Sequence, residues 1–166
     1  MFPKPKKEKA EYRDAPEDLK LMAARLISDH HQHLAEAKIC YLVRTGEWKK
    51  KGKDVFGKAE HVSQKNKYLT GYDFIITISN RAWTMAPDER FKEALLDHEL
   101  THCCKDEDKE GNPKWYIQDH TVEDFASIVR RYGLWDANLR IFIDAYHEHK
   151  QISMFDNEEK KTGTEG

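Results

Sequence analysis

Two histidines and a glutamate form the pattern H-E-x-x-H between His98 and His102, near the middle of the chain. On a helix, positions four apart lie on one face, so His98 and His102 can offer two imidazole nitrogens to one zinc ion. Glu99 follows the first of them, can reach the open side of the metal, and can take a proton from a water molecule there. The pattern therefore predicts a zinc-dependent site for hydrolysis of peptide bonds, with Glu99 as general base.

The residues around this pattern favour a helix with one buried face. Apolar side chains recur at helical spacing at Phe91, Leu95, Leu96 and Leu100. Pro87 is well placed to open the helix, because acidic residues follow it in what would be the first turn. The competing interpretation is a surface helix whose two histidines bind nothing, and the apolar stripe argues against it.

A catalytic zinc takes three protein ligands and keeps its fourth position for water. His120 is the favoured third ligand, since a residue at the entrance of a helix can point along the axis toward a neighbouring element. Glu123 is the alternative ligand, or it orients a ligand imidazole from behind. Tyr116 and Tyr132 are candidate hydrogen-bond donors to the transition state, although core packing is the favoured role for Tyr132. We expect one Zn²⁺ per chain.

Other potential metal ligands are interpreted as structural. The histidines at 30, 31 and 33 do not share one helical face, so they are expected at the polar face or edge of the core. Cys103 and Cys104 are adjacent and point in different directions, which favours packing over metal binding. Three cysteines are too few for a disulfide framework and indicate a reducing, cytoplasmic setting.

Length and charge exclude several classes of protein. The chain of 166 residues has a net charge of -2, which indicates no global attraction to nucleic acid or membrane. No apolar run approaches the roughly 20 residues that cross a bilayer, and the N-terminus lacks the apolar core of a secretion signal. We expect a disordered basic arm at residues 1–13, one domain at 14–150 and a disordered polar tail at 151–166.

Helical and alternating patterns both occur, so the fold class predicted is α+β. Outside the H-E-x-x-H helix, the predicted elements are helices over 16–37, over 121–132 and from 136, strands over 38–44 and 72–79, a basic turn over 49–54, and loops over 80–86 and 105–113. Thr121 begins a capping-box sequence, T-V-E-D, and Gly133 fits a helix end. Val55 and Val62 are compatible with a further short strand.

The chain resembles the putative phage metallopeptidases, a group of zincins related to the SprT-like proteases. The resemblance covers about residues 15–146 and rests on four segments: 94–103, 71–74, 120–125 and 130–135. It implies a minimal zincin fold, in which a short twisted sheet packs with an N-terminal helix, the H-E-x-x-H helix and C-terminal helices. His120 would be the third zinc histidine, with Thr121 where SprT-like proteins have glycine. A phage-encoded protein would act in the host cytoplasm.

The expected partner is a protein or peptide substrate, which could lie extended along a sheet edge above the zinc. The alternative is a non-catalytic, zinc-containing binding or regulatory protein, but a purely structural zinc has no need of Glu99. Association with nucleic acid would rest on the lysines of residues 4–9 and 49–53. No membrane partner is expected.

Overall fold

The computed structural model describes the backbone of residues 8–162 and the side chains of residues 8–154. Helices and small sheets both occur in this range, which confirms the α+β fold class. The chain divides into two compact units, one up to Gln118 and one from Asp119. The boundary falls inside segment 14–150, which was expected to form one domain.

The elements follow one another along the chain with short connections. The strands are β1 Tyr12–Asp14, β2 Ile39–Arg44, β3 Lys49–Lys50, β4 Lys53–Asp54, β5 Gly57–His61, β6 Phe74–Ser79, β7 Cys103–Glu107 and β8 Pro113–Ile117. The helices are α1 Glu17–His30, α2 Gln64–Thr70, α3 Asn80–Thr84, α4 Glu89–His102, α5 Ala126–Tyr132 and α6 Ala137–Thr162, with a 3-10 turn at Gln32–Leu34.

The first unit is built on a four-stranded sheet with the order β1-β2-β6-β5. Strand β2 runs parallel to β6, whereas β1 and β5 are antiparallel to their neighbours. Three side chains of β6 are fully buried, Phe74, Ile76 and Ile78, as expected for a strand with neighbours on both sides. Strand β6 is therefore interior, and β5 is the edge strand on its far side.

Helices α1 and α4 supply the apolar residues that pack on this sheet. Leu19, Ala23 and Leu26 of α1 recur at helical spacing and are buried, as are Leu96 and Leu100 of α4. The H-E-x-x-H helix therefore has the buried face that its sequence predicts.

Two strands and the start of α4 agree closely with the sequence prediction. Strands β2 and β6 lie within the segments 38–44 and 72–79. Helix α4 begins after Asp88, whose carboxylate accepts a hydrogen bond from the Phe91 amide at 2.8 Å. A side-chain cap thus starts the helix one residue after Pro87.

Other predicted boundaries were wrong. Helix α1 ends at His30 instead of near residue 37, and the chain then tightens into the 3-10 turn. The predicted loop over 80–86 contains α3. The predicted loop over 105–113 is confirmed only for residues 108–112, because β7 extends to Glu107 and β8 begins at Pro113. The segment 54–70 contains β5 and α2. These elements are short and largely polar, so periodicity does not reveal them, and serine side chains cap both short helices.

The chain ends carry more structure than the predicted arm and tail. Residues 1–7 lie outside the described part, but β1 begins at Tyr12 and pairs with β2. Helix α6 continues to Thr162 through most of the segment 151–166. None of the helices within residues 8–162 combines the length and apolar character that crossing a bilayer requires.

In the second unit, the helix predicted from Thr121 begins only at Ala126. The Asp124 carboxylate is engaged elsewhere: it accepts hydrogen bonds from the Phe125 amide at 2.7 Å and from Trp135 Nε1 at 3.0 Å. The capping box therefore does not form. The predicted end is confirmed, because Gly133 follows α5 with a left-handed φ of 66°. Asp136 accepts from the Asn138 amide at 2.8 Å at the start of α6, as predicted.

Candidate metal centre

Helix α4 carries His98 and His102 one turn apart, in its last turns before β7 begins at Cys103. Their ring centroids lie 5.1 Å apart, with the rings nearly perpendicular. His98 is exposed and His102 is partly buried. The spacing of the pattern thus places both imidazoles side by side at one end of a packed helix.

His120 joins these two histidines. The ligand atoms of His98, His102 and His120 all lie within 4.8 Å of one another. The structure therefore brings together the three histidines named from the sequence, but the reason given for His120 was wrong. It does not stand at a helix entrance, because α5 begins only at Ala126 and His120 lies in an irregular segment after β8.

Gln118, the residue after β8, makes three hydrogen bonds to the end of α4. Its backbone carbonyl oxygen lies 2.6 Å from His102 Nδ1, and its backbone amide donates to the His102 carbonyl at 2.9 Å. Its side-chain amide donates to the Thr101 carbonyl at 2.6 Å. Since a carbonyl oxygen only accepts, Nδ1 of His102 is the donor. The lone pair of the neutral ring is then on Nε2, the tautomer suited to metal binding through that atom. Sequence reasoning missed Gln118, and no motif marks it.

Glu99 is buried, with 4% of its surface exposed, and lies beside β5. Burial raises the pKa of its carboxyl group to about 7, although nearby His102 and a hydrogen bond from the Ala59 backbone amide act in the opposite direction. A carboxylate with a pKa near neutrality can both accept and return a proton at physiological pH. The burial follows from its place on α4, between the apolar face and the histidines.

Glycine at position 57 is the second residue that sequence reasoning missed. An ideal Cβ atom there would lie 2.6 Å from Glu99 Oε1, which is closer than real contacts allow. The first residue of β5 therefore leaves the space in which the Glu99 carboxylate lies.

The remaining predicted site residues lie elsewhere. Glu123 is exposed, and it lines a small pocket of the second unit with Trp135 and Leu139. It is not a member of the three-histidine cluster found in the described part of the chain. Tyr116 lies in β8, pairs across the hairpin with Cys104 and is partly exposed. Tyr132 is 66% exposed at the end of α5, so the core packing expected for it was wrong.

His31, His33 and Cys103 have structural contacts, as interpreted from the sequence. Buried His31 pairs through Nε2 with Asp97 Oδ1 at 2.5 Å. His33 donates from Nε2 to the Cys103 carbonyl at 2.9 Å. The Cys103 side chain is fully buried in the core, and this burial raises the pKa of its thiol to about 12. Cys103 therefore packs as a small apolar residue.

The cluster suits a zinc ion in its chemistry. Three imidazoles are a known donor set for zinc in proteins. The buried carboxyl group of Glu99 follows His98 in the chain and interacts electrostatically with His102. The residues present therefore fit zinc.

Comparison with known proteins agrees with this chemistry. No curated protein and no solved structure matches the chain. A family model described as "Putative phage metallopeptidase" matches residues 10–157, which is most of the chain. The chain therefore belongs to the putative phage metallopeptidase family.

Proposed function

We propose that the protein is a zinc metallopeptidase that binds one zinc ion through His98, His102 and His120 and uses Glu99 as general base. The observation that carries the proposal is the convergence of three imidazole ligand atoms within 4.8 Å. Membership of a metallopeptidase family supports the same chemistry. The buried carboxylate at position 99 supports catalysis, since a zinc held only for structure gains nothing from it.

Zinc, when bound, supplies a Lewis acid that activates water and polarises the scissile carbonyl group. Glu99 accepts the proton of the attacking water and passes it to the leaving amine. The Ala59 amide holds the carboxylate through a hydrogen bond, so the base is positioned before substrate arrives. Tyr116 and Tyr132 stay candidate donors to the developing oxyanion, to be tested by replacement with phenylalanine.

Strand β5 is the sheet edge that we expect to bind the substrate backbone. The Phe56 carbonyl accepts from the Ser79 amide at the end of β6, and the Val62 amide donates to the Asp73 carbonyl just before β6. Peptide groups alternate along a strand, so the Gly57 peptide groups and the Ala59 carbonyl face away from β6, on the side where the Ala59 amide bonds to Glu99. An extended peptide could pair with this side of β5 next to Glu99, by the strand addition that many peptide-binding proteins use.

The experiment that tests the proposal combines metal content with cleavage. Wild-type protein should hold one zinc per chain and cleave an unstructured protein such as casein. His120→Ala should lose the zinc or bind it much more weakly, whereas His147→Ala, which removes an exposed histidine of α6, should keep it. Glu99→Gln should keep the zinc and lose cleavage.

Each negative result has a specific meaning. Zinc retained in His120→Ala would move the third ligand to Glu123 or another residue. Cleavage retained in Glu99→Gln would overturn the general-base assignment. Wild-type protein that takes up no zinc on reconstitution would overturn the peptidase proposal. Wild-type protein that holds zinc but cleaves no substrate would favour a binding or regulatory role.

A further inference from the structure

A groove of about 460 Å³ opens directly beside the candidate catalytic residues. His98 and Glu99 both line it. Apolar side chains form most of the remaining wall, and they come from the segment before β5 and from one face of α4: Val55, Phe56, Phe91, Ala94 and Leu95. A side chain bound in this groove would therefore lie next to the reacting atoms.

The groove continues into a second pocket of about 370 Å³. The two share Asp54, Val55, Phe56 and Phe91. The rings of Phe56 and Phe91 meet edge to face with centroids 6.0 Å apart. The second pocket extends the apolar surface to Trp48 and Met85. We call the two together the Phe56–Phe91 cleft. Its exposed charged side chains are Glu47, Lys49, Asp54 and Arg81, and Asp54 is common to both pockets.

The apolar walls of this cleft are unusually accessible. Phe56 is 48% exposed and Met85 is 70% exposed. Large apolar side chains grouped around a concave surface, with a few polar groups at one end, mark ligand sites more often than random surface. Here His98 and Glu99 line the groove together with the apolar side chains, so the occupant is expected to be the molecule on which they act.

We propose that the Phe56–Phe91 cleft selects substrates with a bulky apolar residue, aromatic or long aliphatic, beside the scissile bond. This inference rests on the proposed peptidase function. The groove volume falls in the range of pockets that bury whole ligand groups, and such a side chain would be removed from water by apolar contacts on several sides. The charged residues Glu47, Lys49, Asp54 and Arg81 that line the cleft are all exposed, so a lysine or aspartate side chain would lose hydration against the apolar walls without gaining a buried partner.

Ala94 offers a way to fill the groove without disturbing the core. It is exposed in the middle of α4 and lines the groove, so Ala94→Phe should occupy the site. Ala24 is an equally exposed alanine in the middle of α1 and lines neither pocket, so Ala24→Phe is the matched control. Phe56→Ser removes an exposed apolar wall and provides a second, independent variant.

The test measures binding of labelled peptides Ala-Ala-X-Ala-Ala by fluorescence anisotropy, with Glu99→Gln protein so that no peptide is consumed. Peptides with X as phenylalanine or leucine should bind at least about tenfold more tightly than those with lysine, aspartate or glycine. In the Glu99→Gln background, a second substitution Ala94→Phe or Phe56→Ser should remove most of this preference for apolar peptides. The control substitution Ala24→Phe in the same background should leave the preference unchanged. Equal binding of all peptides, no binding of any, or a preference unchanged by both cleft variants would overturn the inference.

Wild-type cleavage of the same peptides separates this inference from the proposed function. Binding that prefers apolar residues, without cleavage by the zinc-loaded wild type, would leave the cleft assignment intact and contradict the peptidase. Cleavage at sites with no apolar preference would contradict the cleft and leave the peptidase intact.

Discussion

The Glu99 carboxylate occupies the space that a side chain at Gly57 would need. An ideal Cβ atom on Gly57 would lie 2.6 Å from Glu99 Oε1 and 2.9 Å from Glu99 Cγ. Gly57 is not one of the glycines with a left-handed backbone, so the need for glycine comes from this close approach. Helix α4 and the edge strand β5 therefore meet closely where we place the general base.

Gly57→Ala is expected to displace Glu99 and reduce peptide cleavage by about tenfold or more, because a misplaced catalytic group loses its near-attack geometry. Zinc content should stay at one per chain, since the three atoms nearest to the new methyl group all belong to Glu99. Cleavage assays and metal analysis on the same preparation check this prediction. Wild-type activity in Gly57→Ala would contradict it.

A thermodynamic cycle separates this local clash from general damage to β5. Gly57→Ala should lower the melting temperature in the wild-type background. The same change should cost much less in a Glu99→Ala background, where the carboxylate and Cγ are absent. Equal losses in both backgrounds would mean that the cost arises elsewhere in the strand.

The sequence was sufficient for the parts of the structure that depend on local patterns. His98, Glu99 and His102 follow from spacing on one helix, and the buried strand β6 follows from its apolar residues. Gly57 and Gln118 could not be found in this way. They lie 42 and 16 positions from the groups they contact, Glu99 and His102, and no local pattern records such distant contacts.

His120 was grouped with His98 and His102 on the expectation that it stands at a helix entrance. The structure groups the three histidines, but no helix begins at His120. The T-V-E-D sequence after it has the form of a capping box, but the Asp124 carboxylate bonds to Trp135 and the box does not form. Side-chain hydrogen bonds to distant partners compete with local caps, and sequence alone does not rank them. The joint placement of the three histidines is a tertiary result.

Gln118→Ala should weaken zinc binding more than it weakens the fold. Loss of one exposed hydrogen bond, from the Gln118 side-chain amide to the Thr101 carbonyl, costs less than about 1 kcal/mol of unfolding free energy. The same side chain holds the segment whose carbonyl orients His102, and loss of such supporting contacts lowers metal affinity by roughly tenfold or more. Competition with a zinc-binding dye measures the affinity.

Gln32→Ala is the matched control for this change. The Gln32 side chain also donates to a backbone carbonyl, that of Ser28 at 3.3 Å, and it is exposed. Its loss should leave zinc affinity unchanged. Equal affinities for wild type and Gln118→Ala would mean that Gln118 has no positioning role.

His31→Ala should destabilise the protein and leave its zinc in place. The ring is buried and bonds to Asp97 Oδ1, so its removal leaves a cavity and breaks a partly buried pair. The expected loss of unfolding free energy is about 1–3 kcal/mol, measured by urea unfolding. Zinc content should equal that of the wild type. A loss of zinc in folded His31→Ala protein would contradict the structural role assigned to this histidine.

Stability of the zinc-free protein should depend on pH through Glu99. Burial raises the pKa of this carboxyl group from 4.5 in the unfolded chain to about 7 in the folded protein. The folded state thus holds the proton more tightly, and this contribution to stability is fully present below pH 4.5 and lost as pH rises through about 7. Above that pH the folded protein contains a buried, charged carboxylate.

Comparison of wild type with Glu99→Gln measures the titration of Glu99 together with its electrostatic interaction with His102, since glutamine does not titrate. In a chelating buffer, the unfolding free energy of the wild type should fall relative to Glu99→Gln by up to about 3 kcal/mol between pH 4.5 and 7, at about 1.4 kcal/mol per pKa unit. Urea unfolding at several pH values measures the difference. Two parallel profiles would show that Glu99 keeps an ordinary pKa in the zinc-free fold, and that burial alone does not prepare it to exchange protons near neutral pH.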